Sequence, residues 1–396
     1  MDAVIVSAVR SPIGRAYKGS LTGVRADDLA AQIVAKALAK VPALDPATLD
    51  DLIMGCAQPA GEQGYNLGRQ VAMHLGFDMV PGTTVNRYCA SSLQAIRMAF
   101  HAIKAGEGHA FVAAGAEVVS HYPAGKADGM PGTRNPRWPE RGSTLPWSDP
   151  RESGELPDVY IAMGDTAENV ASLCGITRHE QDEFGVRSQN NAEKAQADGF
   201  WDLDITPVTL PGGTELARDD GPRAGVTLAK VSTLQPVFRP DGTVTAGNCC
   251  PLNDGAAALV VMSASRASEL GLTPLARIVA TGVSALSPEI MGLGPVEATR
   301  RALANAGMSI SDIDLIEINE AFAAQVIPSY RMMGADPEKV NVHGGAIAVG
   351  HPFGMTGARI ATTLLNGLSF RDKQFGLETM CTAGGQGMAL ILERLS

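Results

Sequence analysis

The sequence lacks long apolar runs, an apolar leader and an excess of positive charge. No stretch approaches the roughly 18 apolar residues that a transmembrane helix requires, and the N-terminus has no basic start followed by a long apolar segment. Acidic residues number 42 and basic residues 32, which argues against nucleic acid as the main partner. We therefore expect a cytoplasmic protein that binds neither membranes nor nucleic acid. A local basic patch for a small anionic ligand remains compatible with this charge.

Paired cysteines and several common catalytic signatures are also absent. The six cysteines are scattered along the chain, at Cys56, Cys89, Cys174, Cys249, Cys250 and Cys381. No Cys-x-x-Cys spacing occurs, so we expect neither disulfides nor a metal site. The P-loop, the His-Glu-x-x-His motif, the Gly-x-Ser-x-Gly elbow and a strand-linked Gly-x-Gly-x-x-Gly are missing. Their absence excludes ATP hydrolysis, zinc proteolysis, serine hydrolysis and simple dinucleotide binding.

What remains is the composition of a folded chain with several structural units. Its 396 residues are 45% hydrophobic and 19% charged, enough for two or more buried cores. Strand and helix patterns alternate before residue 119 and after about residue 245, which predicts an α/β fold. Between residues 122 and 158, Pro, Gly and charged residues dominate without periodicity, which is typical of a binding or assembly segment.

Three segments of the first half resemble three segments of the second half, in the same order. Residues 44–54 resemble 308–318, residues 84–96 resemble 341–360, and residues 111–115 resemble 380–384. This order predicts a duplicated βαβ-type unit with an insertion in its first copy. Chance similarity between two α/β halves is the alternative interpretation.

Cys89 is the first candidate for chemistry, because it lies where a predicted strand passes into a predicted helix. A side chain at such a junction faces the helix N-terminus, where backbone N–H groups favour an anion. That environment lowers the pKa of a thiol and yields a usable thiolate. A cysteine packed under the helix start, without a chemical role, is the alternative.

Three further polar residues lie in glycine-rich or strand-end segments. His351 lies among glycines that permit close backbone approach, so it is a candidate base for a thiol or a histidine satisfied by loop carbonyls. Cys381 lies in a strand, glycine-rich turn, strand pattern that needs no functional explanation by itself. Asn319, at a strand end before a helix, is either an N-cap or a group that holds water near a reacting carbon.

Taken together, these segments resemble the thiolase family of CoA-dependent acyltransferases over essentially the whole chain. The motifs that carry the resemblance are Val4-Ile-Val-Ser-Ala-Val-Arg-Ser-Pro-Ile-Gly14, Val85-Asn-Arg-Tyr-Cys-Ala-Ser91, Met163-Gly-Asp-Thr-Ala-Glu-Asn169, Thr243-Val-Thr-Ala-Gly-Asn248, Asn253-Asp-Gly-Ala-Ala-Ala258, Asn319-Glu-Ala-Phe-Ala323, residues 344–354 and residues 381–387. The resemblance implies a five-layered αβαβα core made of two similar halves with an inserted loop domain.

The resemblance also implies a role for each candidate. Cys89 would be the nucleophile that carries the acyl group, and His351 would accept its proton. Cys381 would protonate the leaving acetyl-CoA enolate or, in synthesis, deprotonate acetyl-CoA. Asn319 would fix a water that, with His351, binds the thioester oxygen. The backbone N–H groups of Cys89 and Ala383 would form a second oxyanion hole.

Substrate contacts follow from the same resemblance. Arg223 matches the arginine near the adenine and phosphate end of CoA, or else it is a solvated loop charge. Four further residues match positions that line the acyl or pantetheine path in the family, namely Met163, Phe238, Ala246 and Phe322. The alternative is that they only pack in the hydrophobic core. Cys250 stands where the family has a serine that touches the pantetheine arm. Ala162 stands where short-chain synthetic members carry histidine, which favours a broader 3-oxoacyl-CoA thiolase.

The implied organisation has three parts. Residues 1–119 and 249–270 form the N-terminal core half, residues 120–248 the inserted domain for CoA binding and oligomer contacts, and residues 271–396 the C-terminal core half. A homotetramer, a dimer of dimers, is the implied assembly. CoA acts as a substrate, and no prosthetic group or metal is implied.

The function implied is cleavage of 3-oxoacyl-CoA with CoA through a cysteine acyl-enzyme, in fatty-acid β-oxidation. The main alternative is an acetyl-CoA acetyltransferase that condenses two acetyl-CoA. A decarboxylating ketosynthase-type enzyme fits less well, because it uses Cys-His-His and not a second thiol. A non-catalytic, CoA-binding relative is the fourth possibility, although the sequence retains every catalytic residue.

Overall fold

The computed structural model describes residues 1–396, in which strands and helices alternate. The strands are β1 (Ala3–Arg10), β2 (Gly14–Arg15), β3 (Asp51–Gly55), β4 (Gly82–Val85), β5 (Ala110–Val118), β6 (Val208–Thr209), β7 (Glu215–Leu216), β8 (Asn253–Ser263), β9 (Ala276–Ala285), β10 (Leu315–Ile318), β11 (Phe375–Thr382) and β12 (Gln386–Arg394). The α-helices are α1 (Ala26–Ala39), α2 (Leu67–His74), α3 (Ser91–Ala105), α4 (Met163–Cys174), α5 (Arg178–Ala197), α6 (Phe200–Asp204), α7 (Leu228–Val231), α8 (Ala264–Glu269), α9 (Gly294–Ala306), α10 (Ala323–Met333), α11 (Ala346–Val349) and α12 (Thr356–Phe370).

The main strands form two similar mixed sheets that join edge to edge. The N-terminal half has the order β4-β3-β5-β8-β1, and the C-terminal half continues as β9-β12-β11-β10. The two halves are connected by a short antiparallel pairing of β1 with β9. In the N-terminal half β3 pairs in parallel with both β4 and β5, and in the C-terminal half β10 pairs in parallel with β11, while the other main strands pair antiparallel. No helix is long and apolar enough to cross a membrane.

Alternation of side chains along the strands creates three packed interfaces. On β8, the residues at 257, 259 and 261 belong to the central core, while those at 256, 258, 260 and 262 belong to the core under α1 and α2. The same alternation in the C-terminal half separates the central core from the core under α9 and α10. Because α3 and α12 fill the space between the two sheets, the layers run αβαβα. The predicted fold is confirmed.

Hydrogen bonds at equivalent positions indicate that the two halves are copies of one unit. Asp50 accepts bonds from two successive N–H groups at the start of β5, and Asp314 does the same at the start of β11. The first strand residue that donates to the aspartate is Ala110 in β5 and Phe375 in β11. Residue 111 therefore corresponds to residue 376. The predicted match of residues 111–115 with 380–384 is therefore four positions out of register. Both strands are rich in small residues, so the sequence alone does not fix their alignment.

The long connection between β5 and β8 carries its own elements. The segment from 125 to 158 contains only short 3₁₀ turns, as its lack of periodicity predicts. Helices α4 and α5 follow, and both pack against α10 of the C-terminal half. The connection thus starts in one half, covers the other and returns with β8 to the first. The predicted domain bounds stay a prediction.

Candidate active site

Cys89 lies in a short 3₁₀ turn between the end of β4 and the start of α3. The hydroxyl of Ser91 donates to the carbonyl of Tyr88 at 2.6 Å and closes this turn. Tyr88 adopts a left-handed conformation with φ 45°, which is strained for a bulky residue and characteristic of functional sites. The turn places the sulfur of Cys89 near two backbone N–H groups, its own and that of Ala383, and both groups act to lower the pKa of the thiol.

The thiol of Cys89 is protonated in the resting site. Burial, with a smaller contribution from the carboxyl group of Glu117, raises its pKa to about 12, although the two N–H groups oppose the shift. The expectation of a resting thiolate is therefore wrong. The physical reason is that α3 begins only at Ser91, while β11 and the turn after His351 pack against the turn that carries Cys89. A base must accept the proton when the thiol reacts.

His351 is oriented by hydrogen bonds on both ring nitrogens. The hydroxyl of Thr356 donates to the carbonyl of Pro352, so its oxygen accepts from Nδ1 of His351 at 2.6 Å. This assigns the neutral tautomer with a proton on Nδ1 and an unprotonated Nε2. Nδ2 of Asn319 donates to that Nε2 at 3.3 Å. Asn319 leaves its Oδ1 buried without a protein partner and does not cap α10, so the capping interpretation is wrong.

The imidazole is uncharged at every pH near neutrality. Burial, helped by the positive charge of Arg359, lowers the pKa of His351 to about 3. The backbone N–H of His351 donates to Oδ1 of Asn253 on β8, which fixes the loop to the N-terminal half. A neutral imidazole with a free Nε2 is able to accept a proton from a thiol.

Cys381 lies at the end of β11 in a hairpin with β12, as predicted. The turn contains Gly384 (φ 75°) and Gly385 (φ 76°), a backbone conformation that residues with a Cβ rarely adopt. The side chain of Cys381 is buried, and burial raises its pKa well above the usual range, with a further contribution from the nearby Cys89 thiol. Two protonated thiols therefore lie near enough for each to affect the ionisation of the other.

Close backbone contacts between the halves bring these groups together. A Cβ on Gly115 would lie 2.1 Å from the carbonyl oxygen of Gly354, so only glycine allows β5 to approach the turn after His351. The turn Tyr88–Ala90 packs against both β11 and the turn Phe353–Met355. The structure thus places the predicted catalytic set at one boundary between the halves, and that set is Cys89, His351, Cys381, Asn319 and Ala383.

An apolar wall lies beside the two thiols. Cys381 and Phe322 belong to one small core, against which Met163 and Cys250 pack. The ring of Phe238 meets that of Phe322 edge to face, with centroids 6.0 Å apart. Phe238 is also half exposed, so it is the outermost member of the wall. Four of the predicted lining residues therefore lie together next to the candidate nucleophile.

A groove of about 380 Å³ leads from this wall to the surface. It is lined by Ala246 and Cys250 at its inner end and by three cations, Arg15, Lys18 and Arg223. None of these cations forms an ion pair, and Nε of Arg15 is buried without a partner. Burial and the nearby Arg15 charge lower the pKa of Arg223. Unpaired cations in a groove indicate a site for an anionic ligand.

Sequence analysis missed several residues of this site. Thr356 fixes the tautomer of His351, and its signal is a hydroxyl in the first turn of the helix that follows the histidine. Gln325 donates to the carbonyl of Asn319 and holds the strand end. Arg15 and Lys18 lie far from Arg223 along the chain, and the N–H groups of Arg15 and Ser20 donate to Asp220, which brings the two segments together at the groove.

A duplicated α/β fold with two thiols and an imidazole at the boundary of its halves defines a class of thiol-dependent enzymes. Comparison with known sequences narrows this class. The family profile for the thiolase N-terminal domain matches residues 3–265, and that for the thiolase C-terminal domain matches residues 272–394.

Characterised relatives agree over the full length. A 3-ketoacyl-CoA thiolase of Bacillus subtilis is 43% identical and covers 99% of both chains. An acetyl-CoA acetyltransferase of Cupriavidus necator is 46% identical, again over 99% of both. A beta-ketoadipyl-CoA thiolase of Escherichia coli is 44% identical over 100% of both. The crystal structure of the Bacillus anthracis acetyl-CoA acetyltransferase superposes with a TM-score of 0.88 at 40% identity, covering 100% of this chain and 99% of that one. The chain belongs to the thiolase family of acyltransferases.

Proposed function

We propose that this thiolase cleaves 3-oxoacyl-CoA with CoA into acetyl-CoA and a shortened acyl-CoA, as in fatty-acid β-oxidation. The observation that carries the proposal is the convergence of two thiols, the partly exposed Cys89 and the buried Cys381, on the His351–Asn319 pair. Breaking the bond between C2 and C3 requires a nucleophile for one carbon and a proton for the other. Two thiols in different surroundings supply both.

In the first half-reaction, the sulfur of Cys89 attacks the C3 carbonyl and its proton passes to Nε2 of His351. The bond between C2 and C3 then breaks, Cys89 retains the acyl group as a thioester, and the electron pair leaves on the enolate of acetyl-CoA. The Cys381 thiol protonates C2 of this enolate and becomes a thiolate. The enolate oxygen is stabilised by His351 together with a water bound to Asn319.

In the second half-reaction, the Cys381 thiolate takes the proton of the CoA thiol, and the CoA sulfur attacks the acyl thioester. Cys89 leaves and regains its proton from His351, so every proton returns to its starting group. The N–H groups of Cys89 and Ala383 stabilise the oxyanion of this tetrahedral intermediate. Loss of one such donor raises a barrier by about 2.7–4 kcal/mol.

The cationic groove provides the support for CoA as the substrate. Its three unpaired cations, Arg15, Lys18 and Arg223, match the phosphate groups of CoA in charge, and its inner end opens beside the two thiols at Cys250. A thiol at Cys250 in place of a serine weakens a hydrogen bond to the pantetheine arm. No prosthetic group takes part in these steps.

An acetyl-CoA acetyltransferase is the second candidate, because the C. necator relative carries that name. The apolar wall of Met163, Phe238 and Phe322 favours a longer acyl chain, since it offers apolar surface beyond the reacting carbons. Turnover of acetoacetyl-CoA, 3-oxooctanoyl-CoA and 3-oxoadipyl-CoA separates the candidates. We expect kcat/KM to be highest for 3-oxooctanoyl-CoA, and preference for the four-carbon or the dicarboxylic substrate would overturn this choice.

Mass spectrometry of the protein mixed with acyl-CoA tests the chemistry directly. We expect one acyl group on Cys89, none in Cys89→Ala, and an unchanged adduct in Cys174→Ser, whose thiol lies at the end of α4. An adduct on another cysteine would contradict the assigned nucleophile. A folded wild-type protein that binds CoA but forms no adduct and no product would support the non-catalytic alternative.

The proposal also includes a cytoplasmic homotetramer, a dimer of dimers. It rests on the family resemblance and on a long connection between β5 and β8 that covers the C-terminal half. Light scattering of the purified protein tests the assembly, and a monomer or a stable dimer would contradict it.

A further inference from the structure

A group of three buried charges lies one layer below the catalytic residues, on the same three elements. β10 carries Glu317 two residues before Asn319, and β11 carries Glu378 three residues before Cys381. The first turn of α12 carries Arg359 three residues after Thr356. All three side chains are at most 4% exposed, and the reaction proposed above does not use them. We refer to Glu317, Arg359 and Glu378 as the lower triad.

The two glutamates lie side by side. They occupy neighbouring positions in the parallel register of β10 and β11, and such strands are about 4.8 Å apart. Ile316 and Leu377 face the outer core under α9 and α10, so alternation turns both carboxyl groups toward α12 and Arg359. Both oxygens of Glu378, and Nε and Nη2 of Arg359, have no protein hydrogen-bond partner.

Two carboxyl groups facing a single guanidinium favour at least one retained proton, because a second negative charge would be buried without compensation. Burial raises the pKa of Glu317 to about 8, against the opposing effect of Arg359, and burial raises that of Glu378 well above its usual range. The protons belong to the pair and not to either residue alone. At neutral pH both carboxyl groups are then protonated beside the guanidinium, and the pair loses its first proton as the pH rises past about 8.

Other charged groups around the lower triad are already committed. Glu320 accepts bonds from Ser188, Asn341 and the N–H of Ile347. Asp204 accepts bonds from Arg10, Thr363 and Asn366. Both carboxyl groups raise the pKa of Glu317 through space, while Arg359 acts on His351 above it. Glu317, unlike Glu320 and Asp204, has no hydrogen bond that fixes its charge, and its pKa of about 8 lies within the pH range of an activity assay.

We propose that Glu317, Arg359 and Glu378 are positioning residues whose carboxyl protons set the electrostatic potential at the His351–Asn319 pair, and that loss of the first of these protons, from Glu317, slows the reaction. The reason is that an added negative charge beneath the pair opposes the negative oxygen that the pair stabilises. This inference rests on the proposed function, because it concerns the oxyanion formed there.

The test compares Glu317→Gln with the wild type as a function of pH. Glutamine imitates the protonated acid and cannot ionise, so we expect the ratio of kcat/KM, variant over wild type, to be flat below about pH 8 and to rise above it. Full loss of the proton is expected to slow the wild type by about tenfold, which corresponds to about 1.4 kcal/mol. Titration of the CoA thiol affects both proteins equally and cancels in the ratio.

Two further variants complete the test. Glu317→Asp restores an ionisable group and is expected to restore the alkaline decrease, while Glu317→Gln/Glu378→Gln is expected to behave as the single variant. Infrared spectroscopy of the wild type is expected to show a carbonyl stretch of buried carboxylic acid that weakens as the pH passes about 8, and this change is expected to be absent in Glu317→Gln. A ratio constant at every pH, or no acid band, would overturn the inference. An inactive wild type would overturn the proposed function instead.

Discussion

The two halves of the molecule share a skeleton and differ in the side chains that face the central layer. On β3 and β5 of the N-terminal half, the paired positions are Ile53 and Ala113, and both belong to the central core. The corresponding pair on β10 and β11 is Glu317 and Glu378. One copy therefore builds an ordinary apolar interface, and the other buries charge at the same place.

The central helices show the same contrast. Helices α3 and α12 each have 15 residues, so their first residues, Ser91 and Thr356, correspond. Counting from these residues, His351 corresponds to Asn86 and Arg359 to Gln94. The N-terminal copy supplies the nucleophile from the turn before its helix, and the C-terminal copy supplies the base and its supporting charges. The skeleton determines where the two helix starts meet, and the side chains of each copy determine what it contributes.

The largest effect is expected from His351→Asn, which gives the C-terminal half the residue, asparagine, that the N-terminal half has at the corresponding position 86. Asparagine cannot accept the proton of Cys89, so we expect kcat for thiolysis to fall by about 10²–10⁴-fold. His343→Asn is the matched control, because His343 is another buried histidine of that half but stacks on Phe200 outside the cleft. We expect it to retain kcat in the folded fraction. A loss of less than about tenfold in His351→Asn would remove His351 as the base.

The second prediction exchanges the buried charges. Glu317→Ile/Glu378→Ala copies Ile53 and Ala113 but leaves Arg359 buried without a counter-charge. We expect the free energy of unfolding to fall by about 3–5 kcal/mol, measured by urea denaturation. Adding Arg359→Gln, which copies Gln94, removes the unpaired charge and is expected to recover most of the loss. If the triple variant were no more stable than the double variant, charge imbalance would not be the cause.

The third prediction concerns the hydroxyl that orients His351. Thr356→Val leaves Nδ1–H of the buried imidazole without an acceptor, which costs about 1–3 kcal/mol and frees the ring to turn. We expect kcat to fall by about tenfold or more with little change in KM for CoA. Thr356→Ser, which copies Ser91 of the other half, keeps the hydroxyl and is expected to stay near wild type. Equal losses in both variants would point to packing of the methyl group instead.

The sequence predicts well what depends on local order. The strand and helix around Cys89 are strongly patterned, and the structure has Cys89 in the turn between them, as predicted. The hairpin at Cys381 follows from its glycines. The αβαβα layering follows from the alternation of apolar residues and from the repeat, although the repeat alone misplaced its third segment.

The rest depends on which elements become neighbours. Asn319 contacts His351 and does not cap α10. This contact forms because the loop 342–355 folds back over the end of β10. The side-by-side arrangement of Glu317 and Glu378 requires the strand order and register of β10 and β11. The direction of the pKa shift at Cys89 depends on how completely other segments enclose the sulfur. None of these is a property of a single segment.

The smallest expected effect concerns the pH dependence of the free energy of unfolding. The C-terminal half differs from the N-terminal half here, because it buries two neutral histidines, His343 and His351. Burial lowers the pKa of His343 to about 4 and that of His351 to about 3. The unfolded chain binds these protons near pH 6.5, so it holds more protons than the folded protein between about pH 6.5 and pH 4, and stability falls as the pH falls through this window.

His343→Gln is therefore expected to reduce the slope of unfolding free energy against pH in that window by up to one proton, or about 1.4 kcal/mol per pH unit. The slope is the measured quantity, because losing the stacking on Phe200 lowers stability at every pH. His179→Gln on α5, whose side chain is 65% exposed, is the control and should leave the slope unchanged. An unchanged slope in His343→Gln would show that the buried imidazole takes up its proton without unfolding, and the contrast between the halves would then be one of catalysis alone.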